Sequence, residues 1–427
     1  MLTTTTHLAR RVAKEQRGRD GGLMTDISLL SKNEAGQKLT KELLLNLGPQ
    51  HPSTHGVLRI MLELDGEEIR GVDTIIGYLH RGTEKLAENF TYTQIIPLTD
   101  RLDYLCAPSN NLAFVLAVER LLEIKAPERA QYIRVMMAEM ARISGHLLIS
   151  GALPMDLGAM TTLLYVMRER EMIMDLMEMI TGARMHTSFC RVGGVREDLP
   201  DGFVPRCREF CHVMKQRIDD YERLITENRI FLKRTRDIGK ITGEQAIDWG
   251  LSGPCLRASG VSWDMRRDNP YEIYDRLSFE VIVRENGDCY DRWKCRMDEM
   301  RESVKLIEQC LDQMPPGPVA VAMPHIAFPL NKITVKSSME AMIHHFDVSA
   351  YGFPVPKGEA YVSIEAPKGE LGFYIISDGS PKPLRMKVRA PSFINLQALA
   401  VLARGCYLAD VIAIIGSLDP VIAEVDK

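Results

Sequence analysis

Two histidines, His51 and His55, lie four residues apart in a segment whose composition resists regular structure. Pro49 and Pro52 each lack a backbone donor and push the preceding residue towards extended geometry, so the imidazoles belong to a stiff loop rather than to one helix face. Because imidazole titrates near neutral pH, such a loop can carry proton-transfer or ligand-binding chemistry. The alternative is that one or both rings only hydrogen-bond the loop shut, and the loop by itself leaves both interpretations open.

A single carboxylate, Asp156, lies within the apolar residues 147–167. An unpaired carboxylate in such surroundings is costly, so Asp156 needs a partner or a raised pKa. The stretch approaches the length that crosses a bilayer. Gly151, Pro154 and Gly158 interrupt it, however, and two buried helices joined by a kinked turn explain it better. The competing interpretation of Asp156 is a cap of the following helix.

The nine cysteines show no framework spacing, and their odd number favours a reducing compartment. Cys207, Cys211 and His212 could suggest a metal site, because positions four apart share a helix face. No second pair completes such a site, so we expect ordinary helix thiols and no metal. No glycine-rich dinucleotide fingerprint follows a predicted strand, which argues against a dinucleotide site in this chain.

Composition places the chain among ordinary globular proteins, with 427 residues, 45% of them hydrophobic and 26% charged. A formal net charge of -4 gives no reason to expect nucleic acid as a partner. Many of the 23 methionines lie between residues 136 and 185, where they face a partner or an amphiphilic ligand, or simply fill an irregular core. Residues 1–40 lack the apolar core of a signal peptide and predict a disordered tail, with Met24 an alternative start.

Hydrophobic periodicity predicts the elements that must position these residues. Residues 57–64 and 67–76 predict a β-hairpin around Asp65-Gly66. The polar stretch from residue 77 predicts a helix that ends before Pro97, and residues 109–110 predict the cap of the next helix. Further helices are predicted over 127–148, 161–180, 205–237, 292–314 and 392–404, and strands over 360–365, 371–377 and 384–388.

These elements predict an α+β fold, a central helical bundle with small antiparallel β-sheets near its N- and C-terminal regions. We expect four regions along the chain. The disordered tail (1–40) precedes a β-hairpin region with the histidine loop (41–105). The helical bundle core (106–240) follows, and a mixed α/β region (241–427) packs on the bundle.

Five motifs occur in a fixed order from about Leu43 to the C-terminus. They are Gly48-Pro-Gln-His51-Pro-Ser-Thr-His55-Gly, Leu79-His80-Arg81-Gly82-Thr83-Glu84-Lys85, Asp100-Arg-Leu-Asp103-Tyr104, Pro154-Met-Asp156-Leu-Gly and Arg184-Met-His186-Thr-Ser-Phe189. Any one of them would be weak, but in this order the chain resembles the D subunit of respiratory NADH-quinone oxidoreductase (complex I). That resemblance implies the peripheral-arm subunit that helps to form the quinone pocket, with NADH oxidised elsewhere in the complex.

The same layout is similar to the large subunit of nickel-iron hydrogenases, which holds its metal centre with two Cys-x-x-Cys pairs. At the first corresponding position this chain reads Asp103-Tyr104-Leu105-Cys106, with one thiol of the pair. The second corresponding position, residues 421–424, has none. One thiolate cannot supply four soft ligands, so the resemblance implies a vacated metal site that has become a ligand cavity.

The resemblance implies that His55 and Tyr104 contact the quinone head group and that Asp156 pairs with His55, which makes these three the expected catalytic residues. Quinone needs two electrons and two protons to become quinol. A phenol is a poor acid towards neutral quinone but a useful one towards the reduced anion. We therefore expect His55 and Tyr104 to donate on reduction, after which the uncompensated Asp156 charge triggers the change coupled to proton pumping. Without the resemblance, Tyr104 would be interpreted as a core tyrosine.

Arg81 and His186 correspond to positions beside the terminal iron–sulfur cluster, which belongs to a neighbouring subunit. A nearby cation favours the reduced cluster, and a titrating imidazole makes its potential depend on pH. Taken alone, Arg81 would be a solvated charge and His186 a satisfied polar residue. His51 is expected to orient the loop, with contact to a mobile quinone left open.

The resemblance also implies the setting. Quinone is the substrate, this chain alone binds no cofactor, and its partners are the other complex I subunits: the cluster-bearing B subunit, the C and I subunits and the membrane-embedded H subunit. The expected location is peripheral, on the cytoplasmic side of a bacterial inner membrane. Rival hypotheses are a related complex that uses another electron donor, a hydrogenase-type subunit, and a purely structural scaffold. The sequence does not distinguish ubiquinone from menaquinone.

Overall fold

The computed structural model describes residues 42–323, 326 and 332–427, so the tail predicted over residues 1–40 lies outside the described residues. The strands are β1 (Glu42–Leu47), β2 (Arg59–Asp65), β3 (Glu68–Ile75), β4 (Cys190–Arg191), β5 (Gly194–Val195), β6 (Gly358–Ala366), β7 (Gly369–Ser377) and β8 (Arg385–Arg389). The helices of the N-terminal half are α1 (Thr83–Ala87), α2 (Tyr92–Thr99), α3 (Ala107–Leu122), α4 (Glu128–Asp156), α5 (Thr161–Thr181), α6 (Phe203–Tyr221) and α7 (Arg229–Thr235). Those of the C-terminal half are α8 (Gly243–Asp248), α9 (Pro254–Arg257), α10 (Met265–Asp268), α11 (Cys289–Gln313), α12 (Lys332–Ser337), α13 (Met339–Ala350), α14 (Pro391–Gln397), α15 (Leu399–Leu402), α16 (Leu408–Leu418) and α17 (Ile422–Val425).

The predicted α+β architecture is confirmed. Helix α4 runs through the centre and packs against α3, α5, α11 and α16, with α6 lying against α5 and α11. Met136, Met137 and Met140 of α4 are buried and fill the core, whereas Met160, Met167 and Met185 of the same sequence cluster are exposed. The division at residues 40, 105 and 240 stays a prediction.

Antiparallel sheets lie at both ends of the bundle. The predicted hairpin is confirmed as β2–β3, and β1 adds a strand that the sequence pattern did not predict, giving the order β1-β2-β3. The sequence of β1, Glu-Leu-Leu-Leu-Asn-Leu, has no clean alternation of apolar and polar residues, which explains why it was missed. The three predicted C-terminal strands are confirmed as the sheet β6-β7-β8, whose inner face packs on α3.

Several predicted helix limits are wrong for identifiable reasons. The helix predicted from residue 77 to before Pro97 is instead an irregular loop followed by α1 and α2, and Pro97 lies inside α2. Burial of Tyr92, Ile95 and Ile96 outweighs the one helical hydrogen bond that Pro97 removes. The predicted cap at residues 109–110 is also wrong, because α3 already begins at residue 107 with Pro108 in its first turn, where a missing N–H costs little.

The apolar stretch 147–167 bends later than predicted, because α4 continues through Gly151 and Pro154 to Asp156. A Cβ on Gly151 would lie 2.5 Å from Val166 Cγ2, so this glycine permits the close crossing of α4 and α5 rather than ending a helix. The helix predicted over 205–237 is divided by a wider turn at Glu222–Thr226, and that predicted over 392–404 is two short helices, α14 and α15. Among the described residues, no helix combines the length and apolarity needed to cross a bilayer.

Buried arginines fix the C-terminal sheet against α4 and its neighbouring helices. The Arg142 guanidinium donates to the carbonyls of Glu365 (2.6 Å) and Ala366 (3.3 Å), and its Nε lies 3.2 Å from a Glu139 carboxylate oxygen. Nearby, Arg257 pairs with both Glu299 and Glu365 at 2.7 Å. Since a buried charge without a partner is strongly destabilising, these pairs allow essentially one arrangement of the helix and the end of β6.

Gly48 is the glycine on which the histidine loop most depends. It has φ +84°, and a Cβ there would lie 2.1 Å from the Leu58 carbonyl oxygen. Gly48→Ala should therefore lower the free energy of unfolding by roughly 3 kcal/mol or more, since both the backbone and the contact are strained. Chemical denaturation of the purified chain measures the loss.

Gly66→Ala is the matched control, because Gly66 also has a positive φ (+66°) but faces open space. It should cost about 1 kcal/mol, the penalty of the left-handed backbone alone. Equal losses in the two variants would show that the close approach at Gly48 does not matter.

Candidate functional site

The histidine loop between β1 and β2 is held by its own hydrogen bonds. The Ser53 N–H donates to His51 Nδ1 (3.2 Å), and the buried Thr54 hydroxyl donates to the His51 carbonyl (2.8 Å). The residues between the histidines form one short turn of 3₁₀-helix, Pro52–Thr54, which packs against α16. His51 thus orients the loop, as expected, and leaves His55 as the histidine that projects from its end.

His55 lies against Asp156, at the C-terminal end of α4. His55 Nε2 and Asp156 Oδ2 are 3.6 Å apart, and their side chains are only 17% and 6% exposed. This separation is longer than a hydrogen bond, so the contact is a charge pair when the imidazole is protonated. Burial raises the pKa of the Asp156 carboxyl above its usual value, against the lowering influence of His55 and His51. Two ionisable side chains with little access to solvent therefore face each other across this contact.

The competing interpretation of Asp156 as a helix cap is wrong. Asp156 is the last residue of α4, and Met160, not Asp156, occupies the N-cap position of α5. Neither His55 Nε2 nor Asp156 Oδ2 has a hydrogen-bond partner among the described residues, although both atoms are buried. Buried polar atoms without partners are uncommon, and a catalytic role is one of the explanations for them.

Tyr104 lies in the turn between α2 and α3 and is 38% exposed. It lines a small cavity whose wall also includes Arg170, His186 and the apolar side chains of Ile173 and Met177. Burial raises the pKa of the Tyr104 phenol, Asp103 and Asp419 add to the increase, and Lys368 opposes it. The phenol thus keeps its proton at neutral pH.

Lys368, a residue that the sequence did not single out, lies buried next to this turn with 2% of its surface exposed. Its Nζ is 2.9 Å from Asp103 Oδ2 and 3.6 Å from Asp419 Oδ2. Burial lowers the pKa of the Lys368 ammonium, but the two carboxylates outweigh burial and hold it well above its usual value. Lys368 is therefore a fixed positive charge.

The β6–β7 turn brings Lys368 to this position. Pro367 packs on α4 at Gly145, where a Cβ would lie 3.5 Å from the proline ring, and Gly369 approaches Ser252 too closely for any side chain. The Asn395 amide donates to the Lys368 carbonyl (3.0 Å). A lysine in a Pro-Lys-Gly turn usually faces solvent, and only the docking of this turn buries it.

Glu424 is the second residue that sequence reasoning missed. It is 1% exposed, and the Ser392 hydroxyl donates to its Oε2. Burial, reinforced by the negative charge of Asp103, raises the pKa of Glu424 to about 7, while Ser392 and Lys368 lower it. A lone carboxylate in the apolar run 421–425 was the available signal, the same signal that drew attention to Asp156.

Arg81 and His186, the residues predicted to adjoin the cluster, lie on different segments. The Arg81 guanidinium donates to the carbonyls of Arg101 (2.6 Å) and Ala423 (3.3 Å), and burial lowers its pKa. His186 has φ +53°, lines the cavity of Tyr104, and has a buried Nδ1 without a hydrogen-bond partner among the described residues.

The structure thus places the predicted residues in two groups, His55 with Asp156 and Tyr104 with His186. The C-terminal segment, residues 416–427, adjoins both. A Cβ on Gly416 would lie 3.8 Å from Asp156 Oδ2, and one on Gly56 would lie 3.7 Å from Ile422. Asp419 of the same segment lies close enough to Tyr104 for its charge to raise the pKa of the phenol.

The possible metal set of Cys207, Cys211 and His212 does not converge. Both thiols are buried in the core between α6 and α11, and His212 on the same helix is exposed. In the part of the chain that the structure describes, no three histidine, cysteine or acidic side chains are arranged to hold a metal ion.

Removing the Lys368 charge should be costly. Lys368→Met leaves Asp103 and Asp419 buried without their cation, so we expect a loss of about 3–5 kcal/mol in the free energy of unfolding. Adding Asp103→Asn should recover part of that loss, which a double-mutant cycle measures. Lys305→Met, which removes an exposed lysine paired with Glu302, should cost less than about 1 kcal/mol. A Lys368 variant as stable as this control would contradict the buried pair.

The raised pKa of Glu424 predicts how stability depends on pH. In the unfolded chain this carboxyl ionises near its usual 4.5, and in the folded chain at about 7. Between these values the folded state holds a proton that the unfolded state has released. The free energy of unfolding therefore falls by roughly 3 kcal/mol at most as pH rises through this window. Above the window this contribution no longer changes with pH. Glu424→Gln should flatten this fall in denaturation curves. An unchanged slope would contradict the assignment.

Comparisons with known proteins give a consistent family. The family model described as "Respiratory-chain NADH dehydrogenase, 49 Kd subunit" matches residues 156–427, more than half of the chain. The D 2 subunit of NADH-quinone oxidoreductase from Rhizobium etli is 75% identical over 404 residues, which are 95% of this chain and 100% of that protein. The protein of the same name from Rhizobium meliloti is 74% identical over the same share of both chains.

A more distant relative covers nearly the same length. The D subunit of NADH-quinone oxidoreductase from Geotalea uraniireducens is 55% identical over 388 residues, 91% of this chain and 99% of its own. Identity at this level over almost all of each chain shows the family. The chain therefore belongs to the 49 kDa subunit family of respiratory-chain NADH dehydrogenase, and it is a subunit of the oxidoreductase complex NADH-quinone oxidoreductase (complex I), whose other subunits are its partners.

Proposed function

We propose that this subunit forms the quinone-reduction site of a proton-pumping NADH-quinone oxidoreductase. The single observation that carries the proposal is the contact between His55 and Asp156, two buried ionisable groups 3.6 Å apart whose facing atoms have no other described partner. Burial of such a pair costs free energy, and buried ionisable groups with perturbed pKa values cluster at functional sites. Quinone reduction uses it, because the reaction consumes two protons beside a largely apolar ring.

Tyr104 and His55 are the proton donors in this proposal. Two electrons from the terminal iron–sulfur cluster of a neighbouring subunit convert quinone to its dianion, and each oxygen then takes one proton. The raised pKa of Tyr104 keeps its phenol protonated until the far more basic reduced oxygen is present. The order is therefore electron arrival first and proton donation second.

In this proposal, loss of the His55 proton leaves the negative charge of Asp156 unbalanced. While His55 is protonated, its charge balances the carboxylate across 3.6 Å. When His55 has given up its proton, Asp156 is left as a buried anion that must take a proton or move. This change at the end of α4 is the step that we propose to be coupled to proton translocation.

Arg81 and His186 tune the electron donor in this proposal. Arg81 is a fixed cation beside the Ala423 carbonyl, and it favours the reduced, more negative form of a nearby cluster. His186 lies in the same cavity wall as Tyr104, so a cluster next to this imidazole would be close to the phenol. The cluster belongs to the neighbouring B subunit, and the other proposed neighbours are the C and I subunits and the membrane-embedded H subunit.

We propose a peripheral position on the cytoplasmic side of the bacterial inner membrane. A related complex with another electron donor would use the same site. A hydrogenase-type reaction has less support, because Cys106 is the one thiol at the corresponding positions, and it donates to the Ala141 carbonyl. A pure scaffold has no use for the His55–Asp156 contact.

Asp156→Asn tests the proposal in the assembled complex. The amide keeps the shape but removes the charge, so quinone reduction should fall by roughly tenfold or more while the cluster is still reduced by NADH. The measurements are the rate of quinone reduction and the electron paramagnetic resonance signal of the cluster. Asp201→Asn, on the exposed surface, is the matched control. Unchanged turnover and pumping in Asp156→Asn would remove Asp156 from the mechanism.

A photoreactive quinone analogue gives an independent test of binding. Because His55 and Tyr104 are proposed to contact the head group, illumination should label peptides containing these two residues, and excess quinone should abolish the labelling. Mass spectrometry of the digested protein identifies the sites. Labelling confined to other subunits would favour the scaffold hypothesis.

A further inference from the structure

Asp100, a buried carboxylate that the proposed chemistry does not use, joins the two segments that meet at the Tyr104 cavity. It directly follows α2, four residues before Tyr104, and none of its surface is exposed. Its Oδ2 accepts hydrogen bonds from the backbone N–H (3.1 Å) and from the hydroxyl of Ser188. Because Ser188 is two residues after His186, one carboxylate ties the turn that carries Tyr104 to the turn that carries His186.

The turn that Asp100 holds has a strained backbone. His186 has φ +53° and Ser188 has φ +40°, in the left-handed region that residues with side chains rarely occupy. Such conformations persist where the surrounding structure restrains them, and they cluster at functional sites. The two hydrogen bonds from Ser188 to Asp100 supply a restraint at one end of this turn. The turn brings His186 and Thr187 into the same cavity wall as Tyr104.

Asp100 also interacts electrostatically with His186. Burial raises the pKa of the Asp100 carboxyl above its usual value, whereas hydrogen bonds from Ser188 and Asn111 and the charge of His186 lower it. The hydrogen bonds come from uncharged groups, so they hold the carboxylate without neutralising it. Because an interaction between two charges is mutual, a proton gained or lost at Asp100 or His186 changes the proton affinity of the other.

The other charged or titratable groups around this pair come from several elements. Those that interact with Asp100 belong to β4, and those that share the cavity wall with His186 belong to the turn before α3, to α5 and to the loop after α5: Cys190, Arg191, Tyr104, Arg170 and Arg184. Of these five residues none is a carboxylate. Asp100 is therefore the acidic group of this set, and the charge that it carries opposes the charges of the three arginines and of a protonated His186.

We infer that Asp100 is a positioning residue for quinone reduction, which fixes the strained His186 turn in the wall of the Tyr104 cavity and acts as the buried counter-charge of the imidazole. The inference rests on the proposed function, in which His186 adjoins the electron-donating cluster and Tyr104 protonates reduced quinone. It adds a physical link between the two, because the carboxylate that holds the His186 turn belongs to the same short segment as the phenol. Asp100 itself touches neither quinone nor cluster in this arrangement.

Asp100→Asn in the assembled complex tests the counter-charge. The amide keeps the shape and one hydrogen-bond acceptor but removes the charge. The pH range over which the midpoint potential of the cluster changes should therefore move to lower pH by about one unit. Redox titrations followed by electron paramagnetic resonance at a series of pH values measure this shift. Asp201→Asn, on the exposed surface, is the control and should leave the curve unchanged. A wild-type curve in Asp100→Asn would overturn the inference.

Two substitutions of Ser188 test the strained turn and keep the Asp100 charge. Both remove the hydroxyl, but glycine adopts φ +40° without strain and alanine does not. Ser188→Ala should therefore release the turn and slow quinone reduction by roughly tenfold, whereas Ser188→Gly should stay within about threefold of the wild type. If Asp100→Asn does not assemble, this pair decides the question. Equal rates in the two Ser188 variants, or a faster Ser188→Ala enzyme, would overturn the inference.

His186→Phe distinguishes this inference from the proposed function. A wild-type pH dependence of the cluster potential in His186→Phe would contradict the proposed place of His186 beside the cluster. A changed curve in His186→Phe together with a wild-type curve in Asp100→Asn would remove only the role of Asp100. A pH dependence that is lost in His186→Phe and shifted in Asp100→Asn supports both.

Discussion

The buried ammonium of Lys368 is the charge on which the Tyr104 side of the site depends. It lies between Asp103 and Asp419, contributed by the turn before α3 and by the C-terminal segment, while Lys368 itself belongs to the β6–β7 turn. Three parts of the chain that are distant in sequence must therefore meet before any of these charges is compensated. Because an uncompensated buried charge costs several kcal/mol, the folded state is stable only when these three segments are in contact.

The C-terminal segment, residues 416–427, extends this constraint to the rest of the site. The Asp426 carboxylate accepts hydrogen bonds from the backbone N–H groups of Gly77 (2.9 Å) and Leu79 (2.7 Å). It thereby holds the loop that carries Arg81, whose guanidinium bonds back to the Ala423 carbonyl. The same segment faces the histidine loop through Ile422 and supplies Glu424. One short piece of chain thus sets the positions of groups that come from several different loops.

The bundle gives these loops a fixed frame. Hydrogen bonds from the Arg142 guanidinium to the Glu365 and Ala366 carbonyls join α4 to β6, and the ion pairs of Arg257 join the same strand to α11, so α4 with Asp156 and the β6–β7 turn with Lys368 cannot shift independently. Rigid placement matters because proton donation requires reacting atoms within hydrogen-bond reach. A frame of buried charges is also electrostatically sensitive, since a proton gained or lost at one site changes the proton affinity of its neighbours.

Sequence by itself determined the class of fold, the family resemblance and the chemical types available. Strong local patterns, such as the β2–β3 hairpin and the helix predicted over 127–148, which forms most of α4, are encoded locally, and both elements were predicted correctly. Helix limits at Pro97 and Pro154 were not, because packing supplies more free energy than one lost hydrogen bond removes. Tertiary structure alone decided that His55 meets Asp156, that the lysine of a β-turn becomes a buried cation, and that the pKa of Glu424 is raised towards neutrality. The physical reason is that proton affinity and charge pairing depend on burial and on neighbours from distant segments, and no local pattern of residues records either one.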